Sequence, residues 1–223
     1  MKTKHRSLKT GILQGIRVLD LSRMLSGPYA TMLLADHGAE VIKIESSEGD
    51  TSRRSGPFNE GDKKKEWSGY FVSLNRNKKS IYLNLKNEAD LVFLKKLIKK
   101  SDVLVENFRP GVMKRLGLSF DEVSKINSRI VYGSISGFGS EVFGESPYKN
   151  WPSYDVVAQA MGGLISLTGY DKKTPLKVGP GIADIFSGSL LSFGLLASIL
   201  KSRTTGQAQY VEVAMYDAIV SMC

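Results

Sequence analysis

A single carboxylate interrupts an otherwise apolar stretch. In GPGIADIFSG, Gly179 to Gly188, Asp184 is the only charged residue, with glycines and a proline before it and a long apolar run after it. Aspartate is a poor helix former and is costly to bury without a partner. Two roles fit that position. Asp184 can cap a helix that Ile185 opens, accepting backbone N–H groups. It can also be a carboxylate held at a helix start as a nucleophile. The local residues leave both open.

Other residues offer different chemistry. In VENFRPGVMKRLG, the cations Arg109, Lys114 and Arg115 follow an expected strand, where α/β proteins usually bind ligands. They suit phosphates, and equally they suit an ordinary charged surface. Glu45 ends a second expected strand, where an acidic residue could hold a ribose. The dinucleotide fingerprint is missing, however. Leu25-Ser26-Gly27-Pro28 supplies one glycine, and Pro28 removes a donor N–H, which disfavours NAD but leaves room for another nucleotide. Asp155 is either a helix-start residue or part of a site. The one cysteine, Cys223, and the two histidines, His5 and His37, exclude an internal disulfide and a Cys/His zinc site, and no metal is expected. A Ser-His-Asp triad would need His37, which sits near an expected helix end and suits the dipole there.

The elements that must position these residues alternate. GIRVLDLSRM reads as a buried strand. SGPYATMLLADHG reads as a turn and helix, with Pro28 suited to the first helical position and Gly38 to the residue past the end. AEVIKIE is a second strand. Ser46 to Lys79 reads as loop-rich and polar, and KSIYLNL as a strand. Asn87 caps a helix whose Leu91, Leu94, Leu97 and Ile98 share a face. DVLVENF is a strand, and Ser119 with Glu122 forms a capping-box pattern. RIVYGSISGFG is a strand, Tyr154 to Leu164 a helix, and GQAQYVEVAMYDAI a strand entering a helix. Alternation of this kind predicts a doubly wound, mostly parallel, Rossmann-like α/β sheet with flanking helices. Residues 1–14 are expected to be a basic tail before a domain spanning 15–223.

Composition narrows the function classes. The 223 residues are 42% hydrophobic and carry a net charge of +9, which fits an acidic partner. The cations are dispersed and no nucleic-acid signature occurs, so a nucleic-acid partner is not expected. The N-terminal MKTKHRSLKTG lacks the apolar stretch of a signal peptide. Ile185 to Leu200 is short for a membrane span and closely bounded by Asp184 and Lys201, so it reads as a core helix. The expected setting is cytoplasmic, or the mitochondrial matrix in a eukaryote.

RVLDLSRMLSGPYATMLLADHGAEVIKIE resembles the opening of the family III CoA-transferases of the CaiB/BaiF type. LNRNKKSIYLNLK, VENFRPGVMKRLG, SISGFG, YDVVAQAMGGLISLTG, GIADIFSG and RTTGQAQYVEVAM resemble later blocks in the same order, covering Gly15 to Met222. The family contains formyl-CoA transferase, carnitine CoA-transferase and α-methylacyl-CoA racemase. NRNKKSI is similar to the branch acting on dicarboxylic acids.

The resemblance implies that Asp184 is the catalytic nucleophile, passing through an aspartyl anhydride and an aspartyl-CoA thioester. Coenzyme A then arrives as part of the substrate, with a small carboxylic acid as acceptor and no permanently bound cofactor. By block position, CoA contacts are implied for Leu25 and Ser26; for Leu83, Asn84, Leu85 and Lys86; for Asn107, Phe108, Arg109 and Arg115; and for Ser136, Gly137, Phe138 and Gly139. Three departures from formyl-CoA transferase stand out. Leu25 replaces a glutamine, which puts oxalate or formate in doubt. Ser46 replaces an arginine and Ser136 a lysine, which weakens phosphate contacts unless Lys43 or Arg53 compensates. The racemase branch has a histidine where this chain has Tyr154, and a phenol with a pKa of about 10 suits α-proton abstraction poorly. Family members are nearly twice this length and form interlocked dimers. The chain is thus expected to be an incomplete large domain, lacking the second domain and the return segment. It would act as a homodimer, act with a polypeptide supplying the other half, or be an inactive remnant.

Overall fold

The computed structural model of the protein describes residues 11–223. Six strands alternate with helices: β1 (Arg17–Asp20), α1 (Ser26–Asp36), β2 (Glu40–Glu45), α2 (Gly69–Asn75), β3 (Lys78–Tyr82), α3 (Glu88–Ile98), β4 (Val103–Glu106), α4 (Val112–Arg115), α5 (Phe120–Ile126), β5 (Val131–Ser136), α6 (Asp155–Met161), α7 (Leu164–Thr168), α8 (Ile182–Thr205), β6 (Gln209–Ala214) and α9 (Met215–Val220). The strands form one sheet in the order β3-β2-β1-β4-β5-β6, and every pairing is parallel. The order reverses direction between β1 and β4, which makes their carboxyl ends the topological switch point.

Each face of the sheet has its own core. One contains Val18, Leu34 and Val105 with Leu191, Leu195 and Ile199 of α8; the other contains Leu19, Leu104, Leu94, Ile98 and Val123. The fully parallel sheet is therefore covered on both sides, as its near-continuous apolar strands require. The expected caps hold. Asn87 accepts from the amides of Ala89 and Asp90, and Ser119 and Glu122 form a reciprocal capping box. His37 is the C-cap of α1, with Gly38 beyond it at φ +98°.

Four expectations need correction or extension. The loop-rich Ser46–Lys79 stretch also holds elements that its polar pattern does not announce: a 3-10 turn, Thr51–Arg54, and α2, whose first turn is capped by the Ser68 hydroxyl. The Tyr154–Leu164 helix breaks at Gly162 and Gly163, the latter at φ +93°. Pro28 is the third residue of α1, where its missing N–H is still harmless. Finally, Gly11 to Gln14 are not tail: Leu13 packs on the core and its amide bonds the His37 carbonyl at 3.0 Å. The remainder of the expected tail lies outside the described residues. Helix α8 is long and apolar enough to cross a bilayer. Here its inner face is core, while Phe193 and Leu200 point outward at 74% and 69% exposure.

Candidate functional site

The turn after β1 is pinned at nearly every backbone group. Asp20 accepts from the Ser22 amide at 3.0 Å and from its hydroxyl. Lys43 donates to the Ser22 carbonyl at 2.9 Å. Asn107, just past β4, accepts from the Arg23 amide and donates to the Arg23 carbonyl, both at 2.8 Å, and reaches the Ser26 hydroxyl at 3.2 Å. The Met24 amide bonds both carboxylate oxygens of Asp50 at 3.2 Å, and Met24 sits at φ +66°. Left-handed backbone is uncommon for a residue with a side chain and concentrates at functional sites. The turn delivers Ser26 as the first residue of α1, a helix with no side-chain cap, so its leading amides need an outside acceptor.

A carboxylate on α8 faces them. Asp184 is not the N-cap, which is Gly181; it is the third residue of the helix. The capping is done from elsewhere. Asp155, the first residue of α6, accepts from the Ala183 amide at 2.8 Å and from the Gln159 side chain at 2.6 Å. Asp184 is thereby released from its own helix and faces the hydroxyl and backbone N–H of Ser26. Gly188 permits the approach: a Cβ there would lie 2.6 Å from the Ser26 carbonyl oxygen. Burial and the nearby Asp155 carboxylate push Asp184 up to about 6, and the two Ser26 donors hold it below what burial alone would give. Two helix N-termini, of α8 and α1, converge on this carboxylate and favour its ionised form.

Asp184 lies in a cleft of roughly 180 Å³ at the switch point. Leu25, Ser26, Asn107, Phe108, Arg109, Ser136 and Gly137 line the same cleft, so seven of the residues singled out from sequence converge on Asp184. Tyr154 lines it as well, at 65% exposure. Others lie apart. Phe138 is buried with its ring against Tyr148 and Tyr216, and Gly139 donates its amide to Ser136 Oγ at 2.9 Å. The Leu83 side chain belongs to the core, while Asn84, Leu85 and Lys86 follow the edge strand β3. Arg115 is exposed on α4.

The sequence missed Tyr70, which faces Asp184 from α2. Burial and the neighbouring carboxylates Asp184, Asp50 and Asp155 push its phenol up to about 12. Ser68, three residues before Phe71, was the available cap signal for that helix. Two expected phosphate ligands are already engaged. Lys43 is buried against Asp50 at 3.0 Å, and Arg53 forms a fork onto Glu45, with both bonds at 2.7 Å. The same fork, with Ser80, occupies Glu45 and removes it as a ribose ligand. Arg54, Lys64 and Lys65 line the open cleft around Ser46 instead. Among the described residues, no cluster of metal-ligating side chains occurs.

The family model described as CoA-transferase family III matches residues 13–223. The chain is 43% identical over 213 residues to a succinyl-CoA:mesaconate CoA-transferase of Haloarcula marismortui, covering 96% of this chain and 54% of that protein. It is 46% identical over 211 residues to a formyl-CoA:oxalate CoA-transferase of Streptomyces coelicolor, covering 95% and 49%. A solved CaiB/BaiF family protein from Brucella suis superposes with a TM-score of 0.88 at 34% identity, covering 95% and 55%. The chain thus spans about half the length of the curated relatives it matches.

Proposed function

The chain belongs to CoA-transferase family III, and from that membership we propose that it moves CoA from an acyl-CoA to a carboxylic acid, with Asp184 as nucleophile. The observation that carries the reading is a half-buried carboxylate at a switch-point cleft, in no ion pair among the described residues and facing the donors of a second helix N-terminus. With its titration near 6, Asp184 is mostly ionised at neutral pH while remaining poorly solvated.

The proposed steps balance without a metal or redox partner. One Asp184 oxygen attacks the thioester carbonyl, the C–S bond breaks, and an aspartyl anhydride and CoA thiolate result. The thiolate attacks the aspartyl carbonyl, which releases the donor acid as its carboxylate and leaves an aspartyl-CoA thioester. The acceptor carboxylate attacks that thioester and again expels the thiolate. The thiolate then takes the acceptor acyl group and frees Asp184. Each carbonyl addition develops an oxyanion, and helix N-terminal amides are suited to stabilise it. Both intermediates stay activated, so no step sacrifices much free energy.

The cleft is smaller than the roughly 300–1,000 Å³ of typical small-molecule sites. It suits the thioester end, with Arg109 and Asn107 at its mouth and the nucleotide end lying across the surface. Leu25 in place of a polar residue, together with the mesaconate-using relative, favours a longer, less polar dicarboxylic acceptor than oxalate. Tyr154 makes the racemase reading weaker. A cytoplasmic homodimer, or a complex with a polypeptide supplying the remainder of the relatives' length, belongs to the same proposal. The outward apolar residues Phe193 and Leu200 are consistent with such an assembly.

The test is covalent trapping. The chain is incubated with succinyl-CoA, quenched with hydroxylamine and digested. A hydroxamate on the peptide containing Asp184, lost with free CoA alone, is the expected result. Undiminished CoA transfer by Asp184→Ala, or labelling at another carboxylate only, removes Asp184 from this role.

A further inference from the structure

The mechanism above makes no use of the most deeply buried ion pair beside the cleft. Lys43 and Asp50 have side chains 1% and 0% exposed, and their charged atoms lie 3.0 Å apart. Replacing such a pair by apolar residues is often neutral for stability, so stability alone does not explain it. Its other contacts point in one direction. Lys43 spends a hydrogen bond on the Ser22 carbonyl, and Asp50 accepts the Met24 amide on both oxygens. These are the two ends of the strained part of the turn. Two residues after Met24, Ser26 presents its hydroxyl and amide to Asp184.

Asp50 is itself fixed from the opposite side. Its Oδ1 accepts from the Ser52 amide at 2.9 Å and hydroxyl at 2.8 Å, and its own amide bonds Glu45 at 2.9 Å. Glu45 is in turn forked by Arg53, whose guanidinium lies 3.7 Å from the centroid of the Phe71 ring. The Ser22–Ser26 turn therefore rests on a rigid, fully bonded block built from β2 and the segment after it. A methionine in the left-handed region returns to ordinary backbone unless something holds it, and the block is that hold.

We propose that the buried Lys43–Asp50 pair is a positioning pair for the Asp184 site, holding Met24 in its left-handed conformation so that the Ser26 hydroxyl and amide stay on the Asp184 carboxylate. The inference rests on the proposed role of Asp184 for its catalytic meaning but not for its geometry. When the pair is lost, Met24 relaxes, the Ser26 donors move off, and the ionised form of Asp184 loses its support. The other charged or titratable groups around Asp184 are Asp155 on α6, with Lys177 at 3.8 Å from it, Tyr70 on α2, Tyr154, and Arg23 and Arg109 in the cleft wall. None of these contacts Lys43 or Asp50 by hydrogen bond or ion pair among the described residues; the Asp50 carboxylate does act on Tyr70 through space, so rescue at Met24 is what separates an effect through the turn from a direct electrostatic one.

The experiment uses the full chain and reads Asp184 titration by carboxyl NMR, assigned with Asp184→Asn, beside the steady-state kinetics of CoA transfer from succinyl-CoA. The Lys43→Met/Asp50→Leu double variant removes both charges together, which leaves no buried ion unpaired. The expected result is a folded protein whose Asp184 titrates about one unit higher. Its kcat falls about tenfold while KM changes less than threefold. Adding Met24→Gly to the double variant should recover most of the titration shift, because glycine takes positive φ without cost. A folded double variant with wild-type Asp184 titration overturns the inference, as does a shift that Met24→Gly leaves untouched. If the double variant does not fold, Met24→Val replaces it. That position is 37% exposed, and a β-branched residue there resists φ +66°. Met24→Val must then raise the Asp184 titration, and an unmoved value overturns the inference. Turnover that survives Asp184→Ala would sink the nucleophile assignment alone; the titration result would still decide the positioning role.

Discussion

Asp20 and Asp184 are aspartates at the same end of the same sheet, and burial acts on them in opposite ways. Asp20 is completely buried. Burial pushes its carboxyl up, but Lys78, Lys43, Ser22 and Thr31 outweigh it and hold it well below the usual range. Lys78 donates to it at 2.9 Å and Thr31 at 2.6 Å. Asp184 is less buried yet is pushed up to about 6, by burial and then by the neighbouring Asp155 carboxylate, with only the Ser26 donors opposing them among the described residues. Glu106 resembles Asp184. Burial pushes it up to about 7, against bonds from Ser134 at 2.5 Å and the Phe108 amide at 2.8 Å, and among the described residues no cation pairs with it. The difference separates two uses of a buried acid. Where cations surround it, the carboxylate is permanently ionised and serves as a brace for the turn. Where only neutral donors meet it, the charge remains costly, and a costly charge is one that can react.

The sharpest way to break this comparison is to remove the brace. Asp20→Ala leaves Lys78 buried without its carboxylate and frees the Ser22 and Thr31 donors. The expected loss is about 3–5 kcal/mol of stability by denaturant titration at pH 7. Part of that loss can be relieved by deprotonating Lys78, which burial already lowers to about 8 despite Asp20. The destabilisation should therefore shrink as pH rises from 7 to 9. A cost under about 1 kcal/mol would mean that the pair is no better than a surface contact.

Much of this contrast is legible in the sequence. The alternation of apolar strands with capped helices led directly to a parallel doubly wound sheet, because Asn87 and the Ser119–Glu122 box signal through neighbours within one turn. The interest of Asp184 was also visible, as a charge where none was expected. Its environment was not. The Asp155 cap acts across 28 residues, and Asn107 reaches Arg23 across 84. Such contacts depend on strand order, which local pattern does not encode. Glu45 reads as available to a ribose because nothing in the spacing to Arg53 announces a fork eight residues on. Helix α2 was hidden in a polar stretch, and Tyr70 with it. The strain at Met24 leaves no sequence mark at all, since methionine is not a left-handed residue by preference.

A middle-sized effect should appear in the opposite direction at Asp184. Its folded pKa is raised from 3.8 to about 6. A raised carboxyl stabilises the fold below its unfolded pKa and costs stability as pH rises through the folded value. Asp184→Asn removes that cost, so the variant should be more stable than wild type at pH 7 by about 2 kcal/mol, from two pKa units reduced for relaxation. The gain should vanish near pH 3.5. Equal stability at pH 7 and pH 3.5 would place Asp184 with the braces rather than with the reactive acids. CoA transfer, if Asp184 is its nucleophile, should fall off below about pH 6.

The smallest effect tests whether pairing or burial makes the brace. Glu40 is as well paired as Asp20: Arg17 and Lys79 each donate to it at 2.7 Å, and both lower its carboxyl below the ordinary value. Its side chain is 34% exposed, and those partners are 38% and 71% exposed. Water therefore competes for all three charges, and salt screens them. Its lowered pKa contributes stability above the unfolded value, lost as pH falls through the folded one. Glu40→Gln should accordingly cost only about 0.5 kcal/mol at pH 7, and less still in 1 M salt. The Asp20 cost should hardly change with salt, because its partners are sealed from solvent. If Glu40→Gln instead matches Asp20→Ala, the number of partners would be what distinguishes a brace. If it stays small and salt-sensitive, burial is the deciding variable: the same exclusion of water that strengthens the Asp20 pair leaves Asp184 poorly solvated and open to reaction.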